Sequence, residues 1–184
     1  MLSRMPLRLA LTLVVGLFSP AALAQEGEFR RPSEIENYPT GLAIGPVKMF
    51  GPTGVALVWR DDAKDSLNAV IAGKLSPKSL HVHIDYQLNL VSLDDPNAPD
   101  IAFPLYVGAG LRLRLNEEEN RGTAKDPFLG LRIPMGIAFL PPSLPIDGFL
   151  EFAPVVGLQK QKTASEETRY ITADFAVGAR YYFR

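Results

Sequence analysis

The segment YVGAGLRLRL, residues 106–115, alternates strictly between two kinds of side chain. From Leu105 to Leu115 every odd-numbered residue is apolar, whereas the even-numbered positions hold tyrosine, glycine and, at Arg112 and Arg114, arginine. A period of two is the period of a β-strand, in which successive side chains point to opposite faces. The segment is therefore predicted to be a strand that has one apolar face and places two arginines on the other.

The same alternation recurs along the chain, between short connections rich in Gly, Pro, Asp and Asn, and no stretch shows a helical period. An even number of strands joined as successive hairpins predicts an all-β fold, an eight-stranded antiparallel up-and-down β-barrel. The predicted strands are residues 40–47, 54–60, 67–75, 79–90, 102–115, 128–140, 147–159 and 169–183.

The N-terminus is typical of a secretory signal peptide. Arg4 and Arg8 precede an apolar run, and Ala22-Leu23-Ala24 forms an A-x-A cleavage site. Residues 1–24 are therefore predicted to be the signal peptide, the polar and aperiodic residues 25–39 a flexible periplasmic leader, and residues 40–184 the barrel domain. Export of this kind suggests the envelope of a Gram-negative bacterium.

Charge and hydropathy exclude several classes of protein. Without residues 1–24 the chain has 17 basic and 20 acidic residues, a balance that gives no argument for binding nucleic acid. It has no cysteine for thiolate metal sites, and after the signal no apolar run of the ~18 residues that a membrane helix needs. A membrane location is thus possible only as a closed sheet.

The two faces of the predicted strands favour a transmembrane barrel. Alternate residues of each strand point to one face, and the residues between them point to the other. One of these two sets is apolar, whereas the other contains mainly glycine, alanine and a few ionisable groups of both signs, which suits a crowded interior. With eight strands the interior is filled by side chains, so no open pore is expected. With both termini in the periplasm, the charged connections 116–127 and 160–168 lie outside the cell, and aromatic residues form a girdle near the periplasmic strand ends: Trp59, Tyr86, Phe103, Phe139, Phe149, Tyr181 and Phe183.

The polar phase predicts a network of ionisable groups in the barrel lumen. Burying such groups unpaired costs several kcal/mol, so they are expected to pair. The favoured pairs are Arg112 or Arg132 with Glu151, and Arg180 with Asp174 or Asp85. The predicted network comprises Lys74, His81, His83, Asp85, Arg112, Arg114, Arg132, Glu151, Asp174 and Arg180. Pro134 and Pro154 fall within strands, where bulges or bends are expected.

Several segments together resemble a known family: LHVHIDYQ, PLYVGAGLRLR, LRIPMGIAFLP, FLEFAPVVGL and AVGARYYF. Their combination and order are similar to those of small, functionally uncharacterised bacterial outer-membrane β-barrels, related in architecture to the OmpA and OmpX class. The resemblance covers residues 40–183. It implies a barrel that the barrel-assembly machinery inserts into the outer membrane, with outer-membrane lipid around it, and it implies no particular activity.

The predicted function is structural or interactive, through the extracellular loops, with no enzymatic activity, cofactor or metal and with the loop partner unidentified. The main alternative is a narrow channel or transporter, supported by the surplus of positive charge in the lumen. A lipid-modifying enzyme would use Ser79 with His81, although no acid is placed to orient that pair. His81, His83 and Asp85 share a strand face and offer a metal-binding alternative, as does the run Glu117-Glu118-Glu119. A soluble carrier barrel of lipocalin type would require the opposite assignment of faces.

Overall fold

A computed structural model describes residues 28–35, 38–73, 79–94, 101–116, 127–141, 144–161 and 164–183. Within these ranges the chain forms antiparallel strands and a 3-10 turn at Pro32–Glu34, and no helix there is long and apolar enough to cross a membrane. The prediction of an all-β antiparallel fold is therefore confirmed. The strands are β1 (Glu28–Arg30), β2 (Gly41–Met49), β3 (Thr53–Arg60), β4 (Asp65–Gly73), β5 (Ser79–Asp94), β6 (Ala102–Asn116), β7 (Phe128–Arg132), β8 (Met135–Phe139), β9 (Ile146–Gln161) and β10 (Ala164–Tyr182).

The sheet closes on itself as a ring of eight strand positions. Strands β2 to β6 pair with one another in chain order. Strands β7 and β8 together occupy the next position in the ring, because each pairs with β6 on one side and with β9 on the other. Strand β10 closes the ring by pairing with β9 and with β2. We call the end that carries the β2–β3 turn, at residues 50–52, the upper end. The opposite end, with the β3–β4 connection at residues 61–64, is the lower end. Closure leaves no free edge along the body of the ring.

Two prolines explain why β7 and β8 are separate strands. Neither Pro134 nor Pro154 has a backbone N–H, so the ladder beside them is incomplete. No bulge occurs there, however, because Arg132 pairs with Val155 and Met135 with Phe152, with two residues between these pairs on each strand. The prolines thus remove hydrogen bonds without shifting the register.

An irregularity does occur between β5 and β6, where sequence reasoning expects a loop. Asn89 pairs with Tyr106 and Val91 with Leu105, so Leu90 is an extra residue on β5. Such a β-bulge shifts the phase of the strand, and accordingly Ser92 rather than Leu93 is buried. Pairing continues to Asp94, so strand structure occupies much of the connection predicted at residues 91–101.

The connection predicted at residues 160–168 is also largely strand. β9 extends to Gln161 and β10 begins at Ala164, with Lys160 opposite Glu167 and a register shift next to it. Backbone pairing does not depend on side-chain polarity, so this polar segment continues the hairpin above the upper end of the ring. The segment 116–127 lies outside the described residues except at its two ends, Asn116 and Pro127.

Part of the segment predicted to be a leader pairs with the ring. β1 pairs with the lower end of β5, where Arg30 lies opposite Ser92. Further along, the Tyr38 hydroxyl accepts a hydrogen bond of 2.8 Å from Asn89 Nδ2, and the Arg60 guanidinium lies 4.8 Å from the centre of the Tyr38 ring. Burial raises the pKa of Tyr38. The described part of the leader therefore contacts the lower end of the ring through β1 and Tyr38.

Burial alternates along the strands, with large apolar side chains exposed on the outer face and charged ones buried inside. The inner face of β2, β3 and β4 differs from that of the other strands, because it contributes mainly small and apolar residues.

Phe149 is predicted to face outward, but it is 8% exposed and points inward, because it lies on the same face of β9 as Glu151. It joins an apolar cluster of Val47, Met49, Ala56, Val70, Ala72 and Ala176.

Candidate functional site: the interior of the ring

Polar and charged side chains of β3 to β7, β9 and β10 occupy much of the interior of the ring. These groups form three levels between the upper and lower ends, and the apolar cluster around Phe149 packs beside them. The buried polar and charged residues are Arg60, Ser66, Asn68, His81, His83, Asp85, Gln87, Ser92, Arg112, Arg132, Asp147, Glu151, Asp174 and Arg180. Among the predicted lumen residues, Arg114 is partly exposed and Lys74 lies outside the described part of the chain.

Arg132 forms the centre of the middle level. Its side chain has no exposed surface, and its two terminal nitrogens donate to different carboxylates: Nη1 to Asp85 Oδ2, and Nη2 to Glu151 Oε1 at 2.7 Å. The expected pairing of Arg132 with Glu151 is present, and Asp85 is an additional partner. One guanidinium therefore links three positions of the ring, β5, β7 and β9.

Glycines make these links possible. Asp85, Gly110 and Arg132 form one row across β5, β6 and β7, and a Cβ on Gly110 would lie 1.9 Å from Asp85 Oδ1. Because residue 110 has no side chain, Arg132 reaches over β6 to Asp85. The same arrangement recurs lower in the ring, where Gly136 lies between Tyr106 and Glu151 and the Tyr106 hydroxyl donates to Glu151 Oε2 at 3.1 Å.

The upper level contains two histidines and a second ion pair. Arg112 Nη1 lies 2.8 Å from Asp174 Oδ1, and His81 Nε2 lies 3.9 Å from Asp174 Oδ2. His83 Nδ1 is 3.5 Å from His81 Nε2, and His83 Nε2 is 3.6 Å from Asp85 Oδ2. A chain of close polar contacts therefore connects the upper level to the Arg132 cluster.

The guanidinium groups of Arg112 and Arg114 pack against an aromatic ring. They lie 5.6 and 5.4 Å, respectively, from the centre of the Phe128 ring. Cation–π contacts of this kind hold both arginine side chains in place at the upper end.

The lower level is organised by Asp147. Its carboxylate accepts hydrogen bonds from Arg180 Nε at 2.8 Å, from Arg180 Nη2 at 2.9 Å and from the Tyr182 hydroxyl at 2.7 Å, and Arg60 Nη2 lies 3.7 Å away. Arg180 Nη1 donates to Asn68 Oδ1. The bidentate pair of Arg180 and Asp147 stabilises the packing of β10 against β9, because the two residues lie directly opposite each other on these strands.

The predicted pairing of Arg180 with Asp174 or Asp85 is therefore wrong. Asp174 and Arg180 lie on the same strand six residues apart, which separates them by about 20 Å at ~3.4 Å per residue. The Asp85 carboxylate pairs with Arg132 instead. Strand geometry alone excludes the first of these pairs.

Sequence reasoning missed Asp147, Arg60 and Asn68. The alternation of side chains could have placed the first two inside the ring. Asp147 is an even number of residues from Glu151 and therefore shares its face, and Arg60 follows Trp59 directly and therefore lies on the opposite face. Asn68 lies on a strand whose polar face is short, and its role appears only through its contacts: Nδ2 donates to Gln87 Oε1 at 2.7 Å, and Gln87 Nε2 donates in turn to Glu151 Oε2 at 2.9 Å.

Metal binding has a geometric candidate in His83, Asp85 and Glu151, which offer ligand atoms within 4.8 Å of one another. Both carboxylates already bind the Arg132 guanidinium, which supplies the positive charge that a metal ion would otherwise provide. A metal would have to displace this fully buried cation, so the arrangement is that of an ion-pair network.

The aromatic residues predicted as a girdle lie on the outer face near the lower end, apart from Phe149. Phe103 and Phe139 pack with ring centres 5.6 Å apart, and Tyr181 and Phe183 with centres 5.5 Å apart. Tyr86 donates from its hydroxyl to Asp65 at 2.7 Å, and Trp59 is 56% exposed.

Replacing Arg132 with leucine is expected to destabilise the protein by about 3–5 kcal/mol, because two buried carboxylates then face each other without a cation. The free energy of unfolding in urea measures this. Arg169→Leu, at an exposed arginine of β10, is the control. Adding Asp85→Asn and Glu151→Gln to Arg132→Leu should restore part of the loss. Equal unfolding midpoints for Arg132→Leu and Arg169→Leu would show that the network does not contribute.

Comparisons with family models, with curated proteins and with solved structures give no match to this chain. The functional argument therefore proceeds from the residues of the chain and their geometry.

Proposed function

We propose that the closed ring is a transmembrane β-barrel of the bacterial outer membrane, with an up-and-down strand order and a plugged interior. The observation that carries this proposal is the inverted distribution of side chains: the ion pairs are buried inside the ring and the large apolar residues are exposed outside. In lipid this arrangement satisfies both faces of every strand.

The outer face supports a lipid environment because it carries no charge over long stretches of strand. The outward side chains between Leu80 and Leu90 on β5, between Phe103 and Leu115 on β6, and between Ile146 and Leu158 on β9 are uncharged. Exposed leucine and isoleucine side chains surround the ring; Leu131 is 67% exposed and Ile171 is 71% exposed. A soluble monomer rarely exposes an apolar patch larger than a few hundred Å².

The interior supports a plugged barrel. Ion pairs around Arg132 occupy the middle level and those around Asp147 occupy the lower level. The apolar cluster around Phe149 packs beside them, and Tyr38 of the leader packs over the lower end. An eight-stranded ring is only wide enough for its own side chains, and here they meet across it.

The function that this architecture supports best is a structural or surface-interaction role. A rigid, membrane-anchored ring would present the β9–β10 hairpin above its upper end, together with the segment 116–127. The β9–β10 extension fits this role because its backbone pairing continues beyond the residues that pair with β2 and β7. The apolar exterior would contact outer-membrane lipid, and assembly machinery would insert it.

Membrane fractionation tests the location. The protein is expected in the outer-membrane fraction, and unboiled samples should migrate differently from boiled ones on a denaturing gel, because the closed ring stays folded in detergent. A protein recovered in the soluble periplasmic fraction, with the same mobility before and after boiling, would refute the membrane proposal.

A charge on the outer face tests which side meets lipid. Leu111 is 56% exposed in mid-strand, and Leu111→Arg is expected to cost about 2–4 kcal/mol in lipid, because a charge near the bilayer midplane is unfavourable. Leu111→Phe, which keeps the position apolar, is the control. The measurement is the yield of folded protein in lipid vesicles. If both variants fold equally well, the outer face does not contact hydrocarbon.

Planar-bilayer recording tests whether the interior is plugged. Purified wild-type protein is expected to give no stable conductance steps, since the ion-pair clusters and Tyr38 block the interior. Regular single-channel steps that persist across independent preparations would instead favour the channel alternative.

A further inference from the structure

The chain has only two histidines, and the fold brings both to the upper level of the ring. His81 and His83 lie on the inner face of β5, and His83 Nδ1 is 3.5 Å from His81 Nε2. The two ring planes meet at 71°, so the rings do not stack face to face, and nitrogen atoms form their closest polar contact. A structural role for the ring does not require imidazole groups at these two positions.

The distance between the two nitrogens fits a shared metal ion better than a hydrogen bond. Hydrogen bonds donated by N–H groups are mostly about 2.7–3.2 Å long, and the observed distance of 3.5 Å is longer than that. Two imidazole nitrogens that bind one tetrahedral metal ion, each at ~2.0–2.1 Å, are about 3.3–3.4 Å apart. The two nitrogens therefore have nearly the separation of two ligands of one ion.

Asp174 of β10 offers a third ligand. Its Oδ2 lies 3.9 Å from His81 Nε2 and accepts no hydrogen bond from the described residues, so it is available for coordination. Its other oxygen, Oδ1, lies 2.8 Å from Arg112 Nη1, an ion pair that holds the carboxylate in place. A small rotation of the Asp174 side chain would bring Oδ2 within coordination distance. Imidazole ligands suit late first-row transition metals, and a carboxylate completes many such sites.

A carboxylate also lies behind His83. Its Nε2 is 3.6 Å from Asp85 Oδ2, so the nitrogen near Asp85 is not the one that faces His81. Histidines that bind metals usually direct their second N–H to a carboxylate, which fixes the tautomer and leaves the other nitrogen free to coordinate. Asp85 keeps its ion pair with Arg132 in this arrangement. The upper level therefore differs from the His83, Asp85 and Glu151 cluster, in which a metal would displace that guanidinium.

The charges around the histidines do not oppose a cation. Among the described side chains there, carboxylates and guanidinium groups are equal in number, so a metal ion meets no surplus of positive charge. The charged groups are Asp85, Glu151, Asp174, Arg112, Arg114 and Arg132.

A cavity of about 210 Å³ gives access to the histidines from the upper end of the ring. His81 and Asp174 line it, together with residues of the β2–β3 turn and the upper part of β6. Its volume corresponds to about seven water molecules at ~30 Å³ each, so water in the cavity can complete the coordination of an ion.

We propose that His81 Nε2, His83 Nδ1 and Asp174 Oδ2 bind one divalent transition-metal ion of the zinc type, with water from the cavity as the fourth ligand. The proposal goes beyond the structural role. It depends on the interior of the ring alone, not on where the protein resides.

Equilibrium dialysis against Zn²⁺ tests the ligands, with folded protein that carries no histidine tag and has been treated with a chelator. The wild type is expected to bind Zn²⁺ at a site that the double variant His81→Gln/His83→Gln lacks. Each single variant should weaken binding by about 100-fold or more, because even the loss of a group behind a ligand costs about 10–100-fold. Ser92→Ala, a change of another buried polar residue of β5, is the control and should bind Zn²⁺ as the wild type does.

A second measurement needs no variant. In wild-type protein with ¹⁵N-labelled histidine, Zn²⁺ is expected to shift the signals of His81 Nε2 and His83 Nδ1 saturably and together. Ca²⁺, which prefers oxygen ligands, should shift neither signal. If the histidine variants do not fold, as judged by heat-dependent gel mobility, this titration decides the question.

The proposal is overturned if the folded double variant binds as much Zn²⁺ as the wild type, because sites made of carboxylates alone would then account for the binding. It is also overturned if Zn²⁺ shifts only one histidine, if the opposite ring nitrogens respond, or if Ca²⁺ gives the same shifts. Each of these outcomes leaves the membrane proposal untouched, because that proposal is tested by fractionation.

Discussion

The buried guanidinium of Arg132 is the constraint on which the interior of the ring depends. Once the strands close, this charged side chain is removed from water, and its burial is costly unless carboxylates approach it. Asp85 and Glu151 do so from two other positions of the ring, and Gly110 leaves the space that the contact with Asp85 needs. Ion pairing, glycine placement and ring closure are therefore parts of one arrangement.

The interior is divided between polar and apolar packing. Strands β5 to β10 contribute most of the ion pairs, whereas β2, β3 and β4 contribute small and apolar residues that pack around Phe149. Ion pairs between charged groups occur at all three levels of the interior. The upper level differs in that a cavity lies beside it.

Strand phase was predictable, but contacts across the ring were much less so. The alternation around Arg112 correctly indicates which residues share a face, yet it does not say which residues meet across the interior. Arg180 illustrates the difference: its partner Asp147 is opposite it on β9, a relation set by the β9–β10 register. Phe149 could have been assigned inward from the phase of Glu151. The extra residue Leu90 had no comparable signal, because a bulge is defined by pairing with the neighbouring strand.

The sequence by itself determined the β-strand class and the separation of an apolar face from a polar one, because both follow from a local period of two. The tertiary structure decided how the hairpins close into a ring, that the polar segment 160–168 continues a strand pair, and that the leader packs on the lower end through Tyr38. It also decided the ion pairs and the cavity. These features depend on register and on distances between residues far apart in the chain, and side-chain periodicity contains no information about either.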